Sequence, residues 1–144
     1  MSVLLNLKLD GRQVHQISSV SKDVEILQLR SEGEILEAMP EVHVVFGGLN
    51  DEMFARGTNL RWVQVASAGV DSMLFHEFVS SDVILTSAKG TVGVHLAEHS
   101  MALLLGLTRG IATAIRKPSW DQRMPIRNVA WELVGATMGI IGLG

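Results

Sequence analysis

Cysteine is missing from all 144 residues, which excludes disulfides and thiolate catalysis and leads us to expect a reducing, cytoplasmic setting. The opening Met1-Ser2-Val3-Leu4-Leu5 has no basic segment and too short an apolar one for a signal peptide. The apolar run Met101-Ala102-Leu103-Leu104-Leu105, flanked by Glu98, His99 and Arg109, falls well short of a membrane span. Large net charge is lacking too: at −3 nothing draws the chain to nucleic acid or anionic membrane, and neither partner is expected. No internal repeat and no low-complexity segment stands out.

What is present is apolar. Hydrophobic residues make up 47% and charged ones 19%, a balance that suits a buried α/β sheet and is far from that of a disordered chain. The length is enough for one domain with a sizeable core. Charge is unevenly spread: residues 1–108 carry 7 Lys+Arg against 13 Asp+Glu, and residues 109–144 carry 5 against 2. The basic tail (Arg109, Arg116, Lys117, Arg123, Arg127) reads as a solvated linker face, with phosphate contact as the alternative.

Apolar runs alternate with helical patterns. Strands are expected over 3–7, 24–29, 42–46, 62–66 and 83–85. Between them, Val14 and Ile17 recur at helical spacing after the Asp10-Gly11 turn. Ser31-x-x-Glu34 is a capping box for a helix that Pro40 ends, and Asn50 caps a turn through Met53 and Phe54. A further helix carries Met73, Leu74, Phe75 and Phe78. Strands apolar on both faces and separated by helices imply a five-stranded parallel sheet covered on both sides, a flavodoxin-like layer. Ligands of such sheets bind outside the carboxyl ends of the strands. That rule selects Gly47-Gly48, Ser67 to Asp71, and Thr86 to Gly90.

Residues 91–116 read as one long helix. Val92, Val94, Leu96, Met101, Leu103, Leu105 and Leu107 leave it almost no polar face, so a second domain or a partner subunit must cover it. Residues 118–136 form a connector. The chain closes on Thr137-Met138-Gly139-Ile140-Ile141-Gly142-Leu143-Gly144, a strand running into a glycine turn, with Gly142 and Gly144 as the first two glycines of a dinucleotide-binding G-x-G-x-x-G.

The ordered motifs resemble one family, the D-isomer-specific 2-hydroxyacid dehydrogenases. Leu60-Arg61-Trp62-Val63-Gln64-Val65-Ala66-Ser67-Ala68-Gly69-Val70-Asp71 is similar to the family's L-x-W-(V/I)-Q-x-x-S-A-G-V-D. Ala97-Glu98-His99-Ser100-Met101-Ala102-Leu103-Leu104-Leu105 resembles its A-E-H-x-x-A-L-L-L helix. Val44-Val45-Phe46-Gly47-Gly48 resembles the end of its third strand, and Trp120, Leu133 to Thr137 and Gly139 to Gly144 its W…L-x-G-x-T-x-G-I-I-G-L-G.

The resemblance implies a substrate-binding domain over 1–90, an interdomain and dimerisation helix over 91–117, a connector over 118–136, and the first strand and glycine turn of a truncated Rossmann domain over 137–144. It implies an NAD- or NADP-dependent oxidoreductase of a small 2-hydroxy or 2-oxo acid, forming homodimers through 91–116. No residue here matches the family's catalytic Arg, Glu and His, so this chain is expected to be inactive alone and to bind no cofactor alone.

Reduction of a 2-oxo acid needs a carboxylate anchor, a placed hydride donor and a proton source. Only the anchor can be sited here, in the turn of Ser67, Ala68, Gly69 and Val70 with Gly47 and Gly48 lining the floor. Ser87 and Leu96 match positions bordering the family's nicotinamide, although Thr86-Ser87-Ala88-Lys89-Gly90 departs from the commoner Asn-bearing version. Two other readings stand beside this one: a non-catalytic dimerising module of the same fold, and a zinc hydrolase. The latter rests on His95-Leu96-Ala97-Glu98-His99, an H-x-x-E-H pattern that wants a third ligand.

Overall fold

The computed structural model describes residues 1–142, which fall into two units, Met1–Thr91 and Val92 onward. The first is built on five parallel strands: β1 (Ser2–Asn6), β2 (Glu25–Leu27), β3 (Val44–Gly47), β4 (Trp62–Gln64) and β5 (Ile84–Thr86). Their order is β2-β1-β3-β4-β5, with all four pairings parallel. The expected α/β class and five-stranded parallel sheet are therefore present. Paired stretches are shorter than the apolar runs: β2 keeps three of the six residues from 24 to 29, and β4 three of the five from 62 to 66. Hydrophobicity marks burial, whereas a strand ends where its neighbour no longer offers a ladder.

One face of the sheet turns Leu4, Val45 and Val63 into the main core, each with 0% exposure, against Met39, Met53 and Phe78. Those side chains come from the helical segments α2 (Glu32–Ala38) with its 3₁₀ extension Met39–Glu41, α3 (Asp51–Arg56) and α4 (His76–Val79). Phe54, Phe75 and Phe78 meet there edge-on or tilted, with centroids 5.3–5.6 Å apart. The other face buries Val3, Leu5 and Val44 under Val14 and Ile17 of α1 (Gly11–Ser18).

Local chemistry fixes where these helices begin. The Ser31 hydroxyl accepts from Glu34 N–H at 3.2 Å while the Glu34 carboxylate accepts from the N–H groups of Arg30 and Ser31. Those backbone donors hold the Glu34 carboxyl below its ordinary value of 4.5. Asn50 caps α3 through Met53 N–H at 2.9 Å. Asp10 with Gln13 forms a second capping box, at the start of α1, where the Asp10-Gly11 pair by itself suggests only a turn. The single helix expected around Met73 to Phe78 is in fact a 3₁₀ turn, Asp71–Met73, followed by α4.

The second unit departs further from expectation. The long helix of residues 91–116 is two helices, α5 (Gly93–Thr108) and α6 (Ile111–Arg116). The chain turns at Gly110, whose φ of 67° is left-handed and whose missing Cβ leaves room for Ile126. The connector holds a 3₁₀ turn, Trp120–Gln122, and α7 (Arg123–Val129). Residues 137–142, expected as the first strand of a dinucleotide-binding domain, form no strand among the described residues, where no neighbour from such a sheet is present. A lone strand has no ladder to satisfy its backbone, so its sequence pattern cannot be expressed without neighbours.

Candidate functional site

Strand order reverses at β1/β3, and the carboxyl ends of β1, β3, β4 and β5 there form one edge of the sheet. Gly47 closes β3 with φ of 126°, and a Cβ at that position would fall on the Asn6 carbonyl oxygen. Only glycine fits both demands. Asn6, at the end of β1 and opposite Gly47 in register, donates from Nδ2 to the Gly48 carbonyl at 2.6 Å. Sequence reasoning missed Asn6. Its signal was present: a polar residue ending an otherwise apolar strand at the point of reversal.

The loop after β4 is the more distinctive part. Ser67, Ala68 and Gly69 are exposed, with Val70 half-buried. The Ser67 hydroxyl donates to the Gly69 carbonyl at 2.7 Å, which folds the loop back on itself. Among the described residues nothing accepts a hydrogen bond from the N–H of Ala68, Gly69 or Val70. Three successive main-chain donors are thus left open at the edge of a parallel sheet, an arrangement suited to an anion. Gly69 itself is not forced by space: its φ is not left-handed, and a Cβ would make only ordinary contact with the Asp71 carboxylate. Asp71 is exposed and does not cap the 3₁₀ turn it begins, so it places a negative charge beside the open donors.

Ser87 follows β5, and its neighbour Ala88 donates N–H to the Ser67 carbonyl at 3.0 Å, tying the β4 and β5 loops together. The Ser87 hydroxyl accepts from Lys89 N–H at 3.3 Å. The fold therefore gathers Gly47, Gly48, Ser67, Ala68, Gly69, Val70 and Ser87 along one edge of one sheet. Leu96 lies in the second unit, on α5, and is 61% exposed. Gly142 has φ of 86°, consistent with a turn, while Gly144 lies outside the described residues. His95, Glu98 and His99 are carried on α5, and no group of three or more His, Asp or Glu able to hold a metal occurs among the described residues.

No family model matches the chain. D-3-phosphoglycerate dehydrogenase of Methanocaldococcus jannaschii is 30% identical over 129 residues, covering 85% of this chain and 24% of that protein. The same-named enzyme of Archaeoglobus fulgidus is 24% identical over 151 residues, covering all of this chain and 28% of that protein. The chain thus spans about a quarter of these curated relatives. Among solved structures, an NAD-dependent formate dehydrogenase from Staphylococcus aureus in complex with NAD superposes with a TM-score of 0.67 at 18% identity, over 92% of this chain and 46% of that one. That likeness is one of fold.

Proposed function

This chain belongs to the D-isomer-specific 2-hydroxyacid dehydrogenase family, and we propose that it supplies the substrate-binding part of an NAD(P)-dependent oxidoreductase of small 2-hydroxy or 2-oxo acids. The observation that carries the proposal is the row of open N–H groups at Ala68, Gly69 and Val70, on the sheet edge where the strand order predicts a ligand. In this reading the three donors hold the substrate carboxylate, and Gly47 and Gly48 line the approach from the β3 side. Hydride transfer from NAD(P)H and protonation of the oxo group belong to residues outside this chain. The 144 residues alone are accordingly inactive. The cofactor of this reading is NAD or NADP, and the cytoplasm is favoured by the cysteine-free composition.

Homodimerisation through residues 91–116 is part of the proposal. Leu96, Leu103 and Leu107 on α5 are 61–76% exposed, and Val94 and Ile115 are 70% and 72% exposed. Covering five such side chains is worth on the order of 10 kcal/mol, a driving force that is set against an association cost of similar size. This observation equally favours the second reading, a non-catalytic dimerising module of the same fold. Titration with glyoxylate or oxalate, followed by amide NMR, separates the two. The substrate reading expects the largest shifts at Ala68, Gly69 and Val70, with a dissociation constant on the order of 1 mM or weaker. Shifts confined to other residues, or none, would remove it and leave the dimerising module.

A further inference from the structure

Leu49 stands where the loop after β3 passes from the sheet edge back into the core. Its side chain is 5% exposed and belongs to the main core cluster, so the residue is held in place. Gly48 before it is exposed, and a Cβ there would meet nothing within 4 Å. The peptide plane joining the two therefore has two orientations open to it, related by a flip that glycine permits at little cost.

Asn6 selects one of them. A carbonyl oxygen only accepts, so the half-buried Asn6 side chain meets Gly48 with its Nδ2, at 2.6 Å. The same Nδ2 donates to Met53 Sδ at 3.8 Å, which uses both amide hydrogens and leaves the side chain a single orientation. In a trans peptide the N–H points opposite to the C=O, and no cis bond occurs among the described residues. Drawing the Gly48 carbonyl toward β1 therefore turns the Leu49 N–H away from β1. The strand on that side of β3 is β4, whose loop carries the open donors of Ala68, Gly69 and Val70. Among the described residues nothing accepts a hydrogen bond from the Leu49 N–H either. Neighbouring strands lie roughly 4.8 Å apart, the scale of a two-carbon acid.

We propose that the Leu49 N–H is a fourth main-chain donor of the site, taking the oxygen on the carbon next to the substrate carboxylate, and that Asn6 is the positioning residue that aims it. The inference rests on the carboxylate reading of Ala68 to Val70 and narrows it. The site takes acids with an acceptor oxygen at C2 in preference to acids with an alkyl group there. A buried leucine lends only its backbone to this task, so its own side chain gives no sign of the role.

The test is amide NMR of the 144-residue chain with two acids of equal charge and similar size, glycolate and propionate, as probes. Both acids should shift Ala68, Gly69 and Val70. Only glycolate should shift Leu49, and it should bind about fivefold more tightly than propionate. Asn6→Asp keeps the size of the side chain but has no hydrogen to donate, and Asn6→Ala removes the group without adding charge. Each should abolish the Leu49 response and the preference for glycolate. Retained shifts at Ala68 to Val70 with propionate show that a variant is folded with its loop intact, which a merely structural role for Asn6 would not combine with loss at Leu49. Shifts at Ala68 to Val70 without any at Leu49 would overturn the fourth donor and leave the carboxylate reading standing. An equal Leu49 response to both acids, or one that survives in both Asn6 variants, would also overturn the proposal. Absence of shifts at Ala68 to Val70 would remove both readings together.

Discussion

Leucine, valine and methionine are common in both units, yet they live differently in each. In Met1–Thr91 fourteen hydrophobic residues are buried, from Val3 to Phe78, at 0–8% exposure. Beyond Thr91 the only buried side chain among the described residues is Thr108, while Val94, Leu96, Leu103 and Leu107 stand 61–76% exposed. The sheet closes a core because every strand pairs with at least one neighbour and offers two faces for helices to cover. The helices after it bring similar side chains with too few surfaces to place them against. Apolar composition alone does not make a core; a second layer does.

The sharpest way to break this contrast is to make the same deletion in both units. Leu4→Ala, at 0% exposure in the main core, should cost about 2–5 kcal/mol in urea unfolding. Leu103→Ala, at 62% exposure on α5, should stay within about 0.5 kcal/mol in the monomer. If the two variants shift the transition equally, the second unit has a core of its own and the comparison fails.

Glycines give the next contrast. Gly47→Ala meets both a left-handed φ of 126° and the Asn6 backbone, so it should destabilise by about 3 kcal/mol or more. Gly110→Ala has φ of 67°, and its new Cβ would meet the Cγ2 methyl of Ile126 at 2.8 Å, a side-chain contact with no backbone atom. Because that side chain can move, we expect only about 1–2 kcal/mol. Denaturant midpoints of the two variants check the order.

Helix capping sharpens it further. Ser31→Ala removes the acceptor for Glu34 N–H and should cost about 1 kcal/mol. The α5 helix begins at Val92 without a side-chain cap, so Val92→Ser offers a capping hydroxyl, and an increase in helical ellipticity is expected there. A decrease would mean that Val92 contributes more by its packing than by its position.

The smallest effect concerns pH. Glu34 binds protons less readily in the folded state than in the unfolded one, so its contribution is present above pH 4.5 and is lost as pH falls through the depressed folded value. Glu34→Gln should therefore lower stability near neutrality and flatten the acid limb, seen as unfolding midpoints of variant and parent converging below pH 4.5. At the sheet edge, Asp71→Asn removes a like charge beside the open donors of Ala68 to Val70, and should tighten oxalate binding by a few fold at low ionic strength. Unchanged affinity would place the anion away from that loop.

Much of the first unit was legible because its signals are local. Ser31-x-x-Glu34, Asn50 and the glycine pair after β3 act within a few residues, and the structure uses all of them at the places where they were read. The Asp10 capping box was overlooked because Asp10-Gly11 also spells a turn, and Gln13 settled which it became. In the candidate site, Gly47, Gly48 and the loop of Ser67 to Val70 were found from the rule for parallel sheets, whereas Asn6 emerged only from its register with Gly47, 41 positions away. The long helix was misjudged because a continuous apolar pattern does not reveal Gly110, whose left-handed turn is set by where Ile126 comes to rest.

By itself the sequence determined the class of the fold, the number of strands and their parallel sense, since an alternation of apolar runs and capped helices has few other solutions. The tertiary structure alone decided strand order, and with it which loops meet at one edge, because order depends on crossovers between residues distant in the chain. It also decided that residues 137–142 form no strand. Both outcomes turn on what lies opposite a segment in space, and a backbone donor or a leucine carries no record of its partner in its own neighbourhood of the chain.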